Sequence, residues 1–412
     1  MNPLPSCRRI SLALCLAFFL IAGSALADGL SSKELYEQTV RSTAMVVVPN
    51  GDKASQGTGW LVDRERKLLV TNRHVIGAQK QVVAVFAVFR NGQLVAERDY
   101  YLREAPRFRG QVMETNQGHD LAIVQLEALP PNIQPLKLAK ERPRAKDSVL
   151  LVGNPGDSRT LWVQTAGTIR GVSRERIKVK FTDQELEAFV QVVDTKGPIR
   201  PGSSGGPMVD KKGDLIAVAS GVDKETHVIG IDAGEVREIL AETYRHEGHR
   251  HHSQGRFDLA VADFSDAIGL NQSDARGFHF RAMSYQKMGK YSEAIADSSQ
   301  ALRLDPGNAR AYNERGAAHS FLDQYDEAIR DYTFAIRLNA DYALAYRNRG
   351  SCHANKGEWE DAISDYDAAI RINSHDAKAL FKRSQAYAKL GDKSKSKEDY
   401  DDAVQLDPSL KR

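Results

Sequence analysis

Three segments in the first half of the chain carry residue types that can do chemistry together. Leu69-Val70-Thr71-Asn72-Arg73-His74-Val75 reads as a strand ending in a histidine. His119-Asp120-Leu121-Ala122-Ile123-Val124 sets an aspartate at the opening of a strand. Pro201-Gly202-Ser203-Ser204-Gly205-Gly206-Pro207 is a glycine-rich loop that presents a serine. A serine hydroxyl is a weak nucleophile until a base takes its proton. His74 is the natural base for Ser204, and Asp120 would fix the imidazole tautomer and stabilise the imidazolium. Glycines on both sides of Ser204 permit unusual dihedrals and close approach of a substrate. The backbone N–H groups of Gly202 and Ser204 would point into one hole, suited to a developing oxyanion. A strand-end histidine alone is usually structural, and an aspartate before a strand is usually a turn residue. The combination in one β-rich stretch carries the inference.

The elements that must position these residues are short strands. Ala44–Val48, Trp60–Val62, Leu68–Thr71, Val82–Phe89, Leu121–Leu126, Val149–Val152, Ile177–Phe181, Phe189–Val193 and Leu215–Ala219 are rich in valine, isoleucine and aromatics. Turn clusters such as Pro49-Asn50-Gly51, Asn91-Gly92 and Lys212-Gly213-Asp214 separate them. Many strands without intervening helices predict an all-β barrel or sandwich. One helix is expected ahead of them, over Ser32–Thr39, capped by Ser31 or Ser32 with Glu34 in its first turn.

In their order, His, Asp and Ser, the three segments resemble the trypsin-like serine proteases, and most nearly the HtrA/Deg type. Gly57-Thr58-Gly59-Trp60-Leu61, Gly153-Asn154-Pro155 and Val228-Ile229-Gly230-Ile231 strengthen the likeness. The resemblance implies an all-β double barrel over residues 28–240 with its active site in the cleft between barrels. It implies His74 as general base, Asp120 as its orienting partner, Ser204 as nucleophile, and an oxyanion hole at Gly202 and Ser204. It implies an endopeptidase acting on polypeptides, with no cofactor and no metal. Two departures stand out. Ser203 precedes the nucleophile where relatives carry Asn or Asp, so activation through a new N-terminus paired with that acid is not expected. The PDZ module usual in HtrA proteins is missing, so PDZ-based regulation does not carry over. Pro198, six residues before Ser204, is not an acid, and a preference for small or medium aliphatic side chains follows. Ala219, Ser220 and Gly221 are the expected pocket walls.

After Gly234 the pattern turns helical, and Gly234–His252 reads as near-continuous helix. Columns then recur every 34 residues: Tyr244, Phe278, Tyr312, Tyr346 and Leu380; Gly248, Ala282, Gly316, Gly350 and Ser384; Ala260, Ala294, Ala328, Ala362 and Ser396. Small residues at fixed points let paired helices approach closely, and a large residue between them fills the space. This pattern resembles the tetratricopeptide repeat (TPR), in five copies at 241–274, 275–308, 309–342, 343–376 and 377–410. The fold expected is multidomain: the double barrel followed by an all-α TPR solenoid. Each repeat buries its apolar face only against neighbours, and the polar last copy reads as a cap. By repeat position the concave face includes Arg245, His249, Arg276, His279, Arg310, Asn313, Arg347, Asn348, Lys378 and Lys382. That face is either a groove for a protein or peptide ligand or a solvated charged face. The histidines His246, His249, His251 and His252 invite a metal reading or a shared protonation as pH falls below ~6.5, but no carboxylate or cysteine in that stretch completes a defined site.

The chain opens MNPLPSCRRI SLALCLAFFL IAGSALADG, with Arg8-Arg9, an apolar run and Ala25-Leu26-Ala27. This is the layout of a secretory signal peptide over residues 1–27, cut after Ala27. The apolar run of about 13 residues falls short of the ~20 that a membrane span needs. A periplasmic or secreted location and no stable membrane insertion follow. Lys+Arg number 57 and Asp+Glu 54, for a formal charge of +3, which argues against nucleic acid as a partner. Of the three cysteines, Cys7 and Cys15 fall in the leader and only Cys352 remains. The mature chain is therefore expected to fold by core burial without an intramolecular disulfide. Dithiothreitol should leave both the thermal midpoint and the activity of mature protein unchanged, and a lower midpoint under reductant would contradict this.

Overall fold

A computed structural model describes residues 29–50, 53–116, 118–156, 158–181, 184–196, 203–222 and 227–411. The expected leader, Pro198 and Gly202 lie outside the described residues. The chain divides into two compact units, Met1–Ile239 and Leu240–Arg412.

The first unit opens with the helix Ser32–Ser42. Ser31 and Glu34 form a capping box in which each side chain meets the other's backbone N–H. Two closed six-stranded barrels follow. The first runs in the order β1-β2-β3-β8-β7-β4, where β1 is Thr43–Asn50, β2 Lys53–Asp63, β3 Leu68–Asn72, β4 Gln81–Phe86, β7 Phe108–Asn116 and β8 Leu121–Leu126. The second runs β10-β11-β14-β13-β12-β9, where β9 is Ser148–Gly153, β10 Val163–Phe181, β11 Gln184–Lys196, β12 Pro207–Val209, β13 Leu215–Val222 and β14 His227–Asp232. Closure pairs both sides of the strands within each barrel wall. Each barrel has its own apolar core, around Val46, Leu61, Leu69 and Val124 in one and Leu151, Val193, Met208 and Ile216 in the other.

The expected strands all fall on strands, with differences that have physical reasons. The run expected over Val82–Phe89 stops at Phe86. Beyond it, β5 (Phe89–Arg90) and β6 (Gln93–Leu94) form a tight hairpin. Asn91 and Gly92 turn it with φ of 51° and 79°, the two left-handed positions that such a turn requires. β7 was not anticipated, because its sequence FRGQVMETN mixes charged and apolar residues without clean alternation. β10 and β11 extend well beyond their apolar cores, paired from Thr168↔Lys196 to Phe181↔Gln184. Two short helices, Arg73–Ile76 and Arg98–Arg103, interrupt the strands.

The helix Ala233–Ser253 spans the boundary between the units. Nine helices follow it among the described residues, in helix–turn–helix register, from Phe257–Leu270 to Lys393–Leu406. The small-residue columns meet the large ones. A Cβ added at Gly248 would lie 2.7 Å from the Phe264 ring, at Gly316 3.0 Å from Tyr332, and at Gly350 2.9 Å from Tyr366.

A second periodic device was not anticipated. Arg281, Arg315, Arg349 and Arg383 grip Asp297, Asp331, Asp365 and Asp399 in two-pronged pairs, with contacts of 2.7–2.9 Å. Each guanidinium also reaches back 16 residues, to Ser265, Ser299, Thr333 and Asp367 in turn, so it ties one helix pair to the one before. Bidentate carboxylate recognition suits the fixed fork of arginine. In the first repeat the arginine column holds Glu247, and Asp263 is met by His251 Nδ1 at 2.6 Å.

Three histidines near that first rung, His249, His252 and His279, are shifted toward the neutral form. Burial, reinforced by Arg245, pushes His249 down to about 4. Burial also lowers His252 and His279, aided by Lys287 and Arg310 respectively. A histidine whose folded value lies below its unfolded value of ~6.5 binds protons preferentially in the unfolded state. Its stabilising contribution is present above ~6.5 and is lost as pH falls toward 4. Urea midpoints of the second unit's helical signal should therefore drop between pH 7 and pH 5. His249→Gln should flatten that drop, and an unchanged slope would contradict the assignment.

Candidate active site

β3 ends at Asn72 and hands the chain to the helix Arg73–Ile76, which carries His74. Opposite it, Asp120 opens β8 in the left-handed region, φ 51°, and is only 3 % exposed. A buried carboxylate must be met by donors. The Asp120 carbonyl accepts Arg73 N–H and the Asn72 Nδ2 amide, both at 3.0 Å. Its Oδ1 accepts His74 N–H at 2.9 Å. Its Oδ2 meets His74 Nδ1 at 2.8 Å and accepts Ser220 Oγ–H at 2.7 Å. An ionised carboxylate has no proton to give, so Nδ1 carries the proton and the lone pair of His74 stands on Nε2.

The Ser204 loop is held from both barrels. Thr58 of β2 donates its N–H to the Ser204 carbonyl at 2.8 Å, and its own carbonyl accepts Thr71 Oγ1–H of β3 at 2.6 Å. Gly205 donates to Ala219 O at 2.7 Å, and Ala219 donates back to Gly206 O at 2.9 Å. Gly205 has φ 85°, and a Cβ there would lie 2.0 Å from the Thr58 carbonyl oxygen. Among the described residues the Ser204 hydroxyl donates to the Ser220 carbonyl at 3.4 Å and not to His74.

Two of the three expected supporting motifs have a physical job at this loop, while Val228-Ile229-Gly230-Ile231 lies in β14. A Cβ at Gly57 would strike Val75, and one at Gly153 would strike Ser203 Oγ at 2.5 Å. Asn154 donates its N–H to Thr58 Oγ1 at 3.0 Å and accepts Trp162 N–H at 3.1 Å. Of the expected pocket walls, Ala219 is bonded to the Ser204 loop and Ser220 to Asp120, while Gly221 pairs with Ile229 in the β13–β14 ladder. Ser220 lies 100 residues from Asp120 in sequence. No local spacing announces that bond.

His119, next to Asp120, has Nε2 3.2 Å from Glu235, whose other oxygen accepts Gln191 N–H at 3.0 Å. Glu238 brings a third donor within 4.8 Å. Ligation through Nε2 needs a proton on Nδ1, and that buried atom has no acceptor among the described residues. The group reads as a hydrogen-bonded His119–Glu235 contact that braces the Asp120 turn. His353 and Glu358 likewise repeat a structural contact, since His319 meets Gln324 at the same 2.6 Å one repeat earlier.

The residues expected on the concave TPR face divide. Arg245 is buried between Glu242 and Asp274, and Arg347 is paired with Asp376 at 2.7 Å. Asn313 is buried and accepts from Asn348 at 3.2 Å. His249 packs edge-on against Phe280, and His279 is buried. Arg276 pairs with Asp274 at 3.0 Å, while Arg310, Lys378 and Lys382 are exposed. In the histidine cluster, His246 lies 3.9 Å from Glu242 and His252 meets Ser284 at 2.9 Å.

Residues 57–218 match the trypsin-like peptidase domain family. A trypsin-like peptidase domain therefore lies within the first unit. Residues 284–320, 319–377 and 377–410 match tetratricopeptide repeat families, so the second unit carries TPR repeats. The peptidase domain is similar to the putative serine protease HhoA of Synechocystis, 32 % identical over 43 % of this chain and 39 % of that protein. It is similar to a probable periplasmic serine protease do/HhoA-like of Haemophilus influenzae, 25 % identical over 40 % of this chain and 30 % of that protein. The active form of the Rv3671c protease from M. tuberculosis matches over 52 % of this chain and 87 % of its own, at 23 % identity and a TM-score of 0.41. The chain spans well under half the length of these curated relatives. No helix among the described residues is long and apolar enough to cross a membrane.

Gly205→Ala should destabilise the peptidase domain by on the order of 2–3 kcal/mol, from the left-handed backbone and the clash with Thr58 together. A thermal midpoint equal to that of the parent protein would show that the loop relaxes freely.

Proposed function

We propose that this chain is an exported serine endopeptidase whose repeat array recruits substrates or partners. The observation that carries the reading is the buried Asp120 carboxylate bonded to His74 Nδ1 at 2.8 Å, opposite a Ser204 loop pinned across both barrels. Supporting it are the trypsin-like match over residues 57–218 and relatives that bear serine protease names. When a polypeptide binds, the Ser204 hydroxyl turns from the Ser220 carbonyl to His74 Nε2, which takes its proton as oxygen attacks the scissile carbonyl. The imidazolium is held by Asp120. The developing oxyanion is met by the N–H groups of Gly202 and Ser204. His74 then protonates the leaving amine, and water releases the acyl group by the same steps in reverse. Export rests on the Arg8-Arg9, apolar and Ala25-Leu26-Ala27 sequence. The exposed Arg310, Lys378 and Lys382 remain available to a ligand of the array.

A second reading is favoured by one observation, the Ser204 hydroxyl turned to Ser220. It makes the chain a TPR binding scaffold with a latent peptidase domain. Mature protein should degrade denatured casein, and Ser204→Ala should lower kcat by on the order of a million-fold. Equal turnover by the two proteins would sink the peptidase reading. A fluorophosphonate probe that labels Ser204 only after a ligand engages the array would establish latency.

A further inference from the structure

The second barrel carries a groove that the peptidase reading does not use. It has a volume of about 800 Å³ and lies between the connecting segment 137–148 and the turn 210–214. Lys137, Lys140, Arg142, Arg144 and Lys146 line it from the first side. Lys211 and Lys212 line it from the second. Seven cations thus face four carboxylates, and two of those carboxylates are committed to backbone. Asp210 accepts the N–H groups of Lys212 and Asp214 at 2.8 and 3.0 Å, and Asp147 accepts Arg144 N–H at 2.7 Å. Among the described residues none of the seven cations forms a salt bridge. Arg142 feels Asp232, whose carboxyl burial raises and Arg142 draws back down.

These cations are not on loose chain. Lys137 O accepts Leu215 N–H at 2.7 Å, and Ala139 N–H donates to Leu215 O at 2.8 Å. The side chain of Arg237 also grips the Ala139 carbonyl. At the other end, Lys146 N–H donates to Ile169 O at 2.7 Å, and Ile169 N–H to Asp147 O at 2.9 Å. Lys146 sits at φ 77°, a conformation that glycine or asparagine adopts at less cost. Both ends of the segment are therefore bonded to the barrel, and its backbone is held in place. Cations carried on a fixed backbone and in excess over carboxylates attract an anionic partner. The floor is apolar, from Ala139 and Ile216. A smaller groove of about 550 Å³ continues from it past Ser148, Asp210 and Lys211 to Leu35, Val149 and Leu150.

We infer that this groove binds an acidic stretch of polypeptide that is followed by apolar side chains. A concavity with charged rims, an apolar floor and an apolar extension fits an extended chain, whereas a bilayer surface does not enter it. The inference concerns binding alone and holds whether or not Ser204 is active.

The test uses the full mature chain carrying Ser204→Ala and a fluorescein-labelled hexaglutamate peptide ending in dileucine. Fluorescence anisotropy should show saturable binding that weakens steeply with added salt. The glutamine counterpart should bind at least about tenfold more weakly, a difference of about 1.4 kcal/mol. Lys140→Glu/Arg142→Glu/Arg144→Glu on one rim and Lys211→Ala/Lys212→Ala on the other should each reduce affinity. All five side chains are exposed, and circular dichroism checks that each variant is folded. Arg330→Glu/Arg371→Glu, at exposed positions on the repeat helices Tyr325–Leu338 and Trp359–Ile372, should leave binding unchanged. Loss of binding in that last variant alone, equal affinity for the glutamine peptide, or binding to anionic phosphatidylglycerol vesicles but not to the peptide would each overturn the proposal.

Discussion

Everything at the candidate site depends on one buried carboxylate. Asp120 sits almost out of water in a backbone conformation that a non-glycine residue rarely takes, and donors meet both its carboxylate and its carbonyl. The carboxylate donors come from the helix that bears His74 and from Ser220 of the second barrel, while Asn72 at the end of β3 holds the Asp120 carbonyl. Asp120 therefore does two things at once. It orients the imidazole, and it makes the relative position of the two barrels a condition of its own satisfaction. The His119–Glu235 contact adds a brace one residue away, to the helix that closes the peptidase domain.

The Ser204 loop is fixed by the same logic with backbone in place of charge. Thr58 is bonded on one side to the strand that leads to His74 and on the other to the residue that carries the hydroxyl. Contacts this close leave no room for side chains, which is why Gly57, Gly153 and Gly205 surround it. The buried Ser203 packs where Gly153 makes way for it. The nucleophile is thus positioned by what its neighbours lack.

What the sequence made legible follows from what its signals encode. His74, Asp120 and Ser204 were readable because each sits in a local context of strand, turn and glycine. The helical unit was readable because a 34-residue period repeats one packing solution. Ser220 was readable only as a neighbour of a pocket, since its bond to Asp120 joins positions with no local relation. β7, the part of β10 before Ile177 and the ends of β11 escaped because runs rich in charged and polar residues carry no clean apolar alternation. The concave-face residues were chosen by repeat position, which gives the face but not the partner. Arg245 and Arg347 are spent on internal pairs, and Asn313 on a buried contact. The Arg–Asp columns share the 34-residue spacing, but a charged column alone does not distinguish a buried pair from a solvated face.

The arginine ladder also bears on how such an array can change length. Each rung bonds forward within its own helix pair and backward to the preceding one, always across the same 16-residue offsets. An interior unit can therefore be copied or deleted whole and the rungs on either side still find partners. The first unit is the exception. A copy of it placed inside the array would set Glu247 and the His251–Asp263 contact where a guanidinium rung should stand, and the bond back to the preceding unit would be lost. Growth by duplication is thereby confined to the units behind the first, and the end next to the peptidase domain is chemically marked as the start.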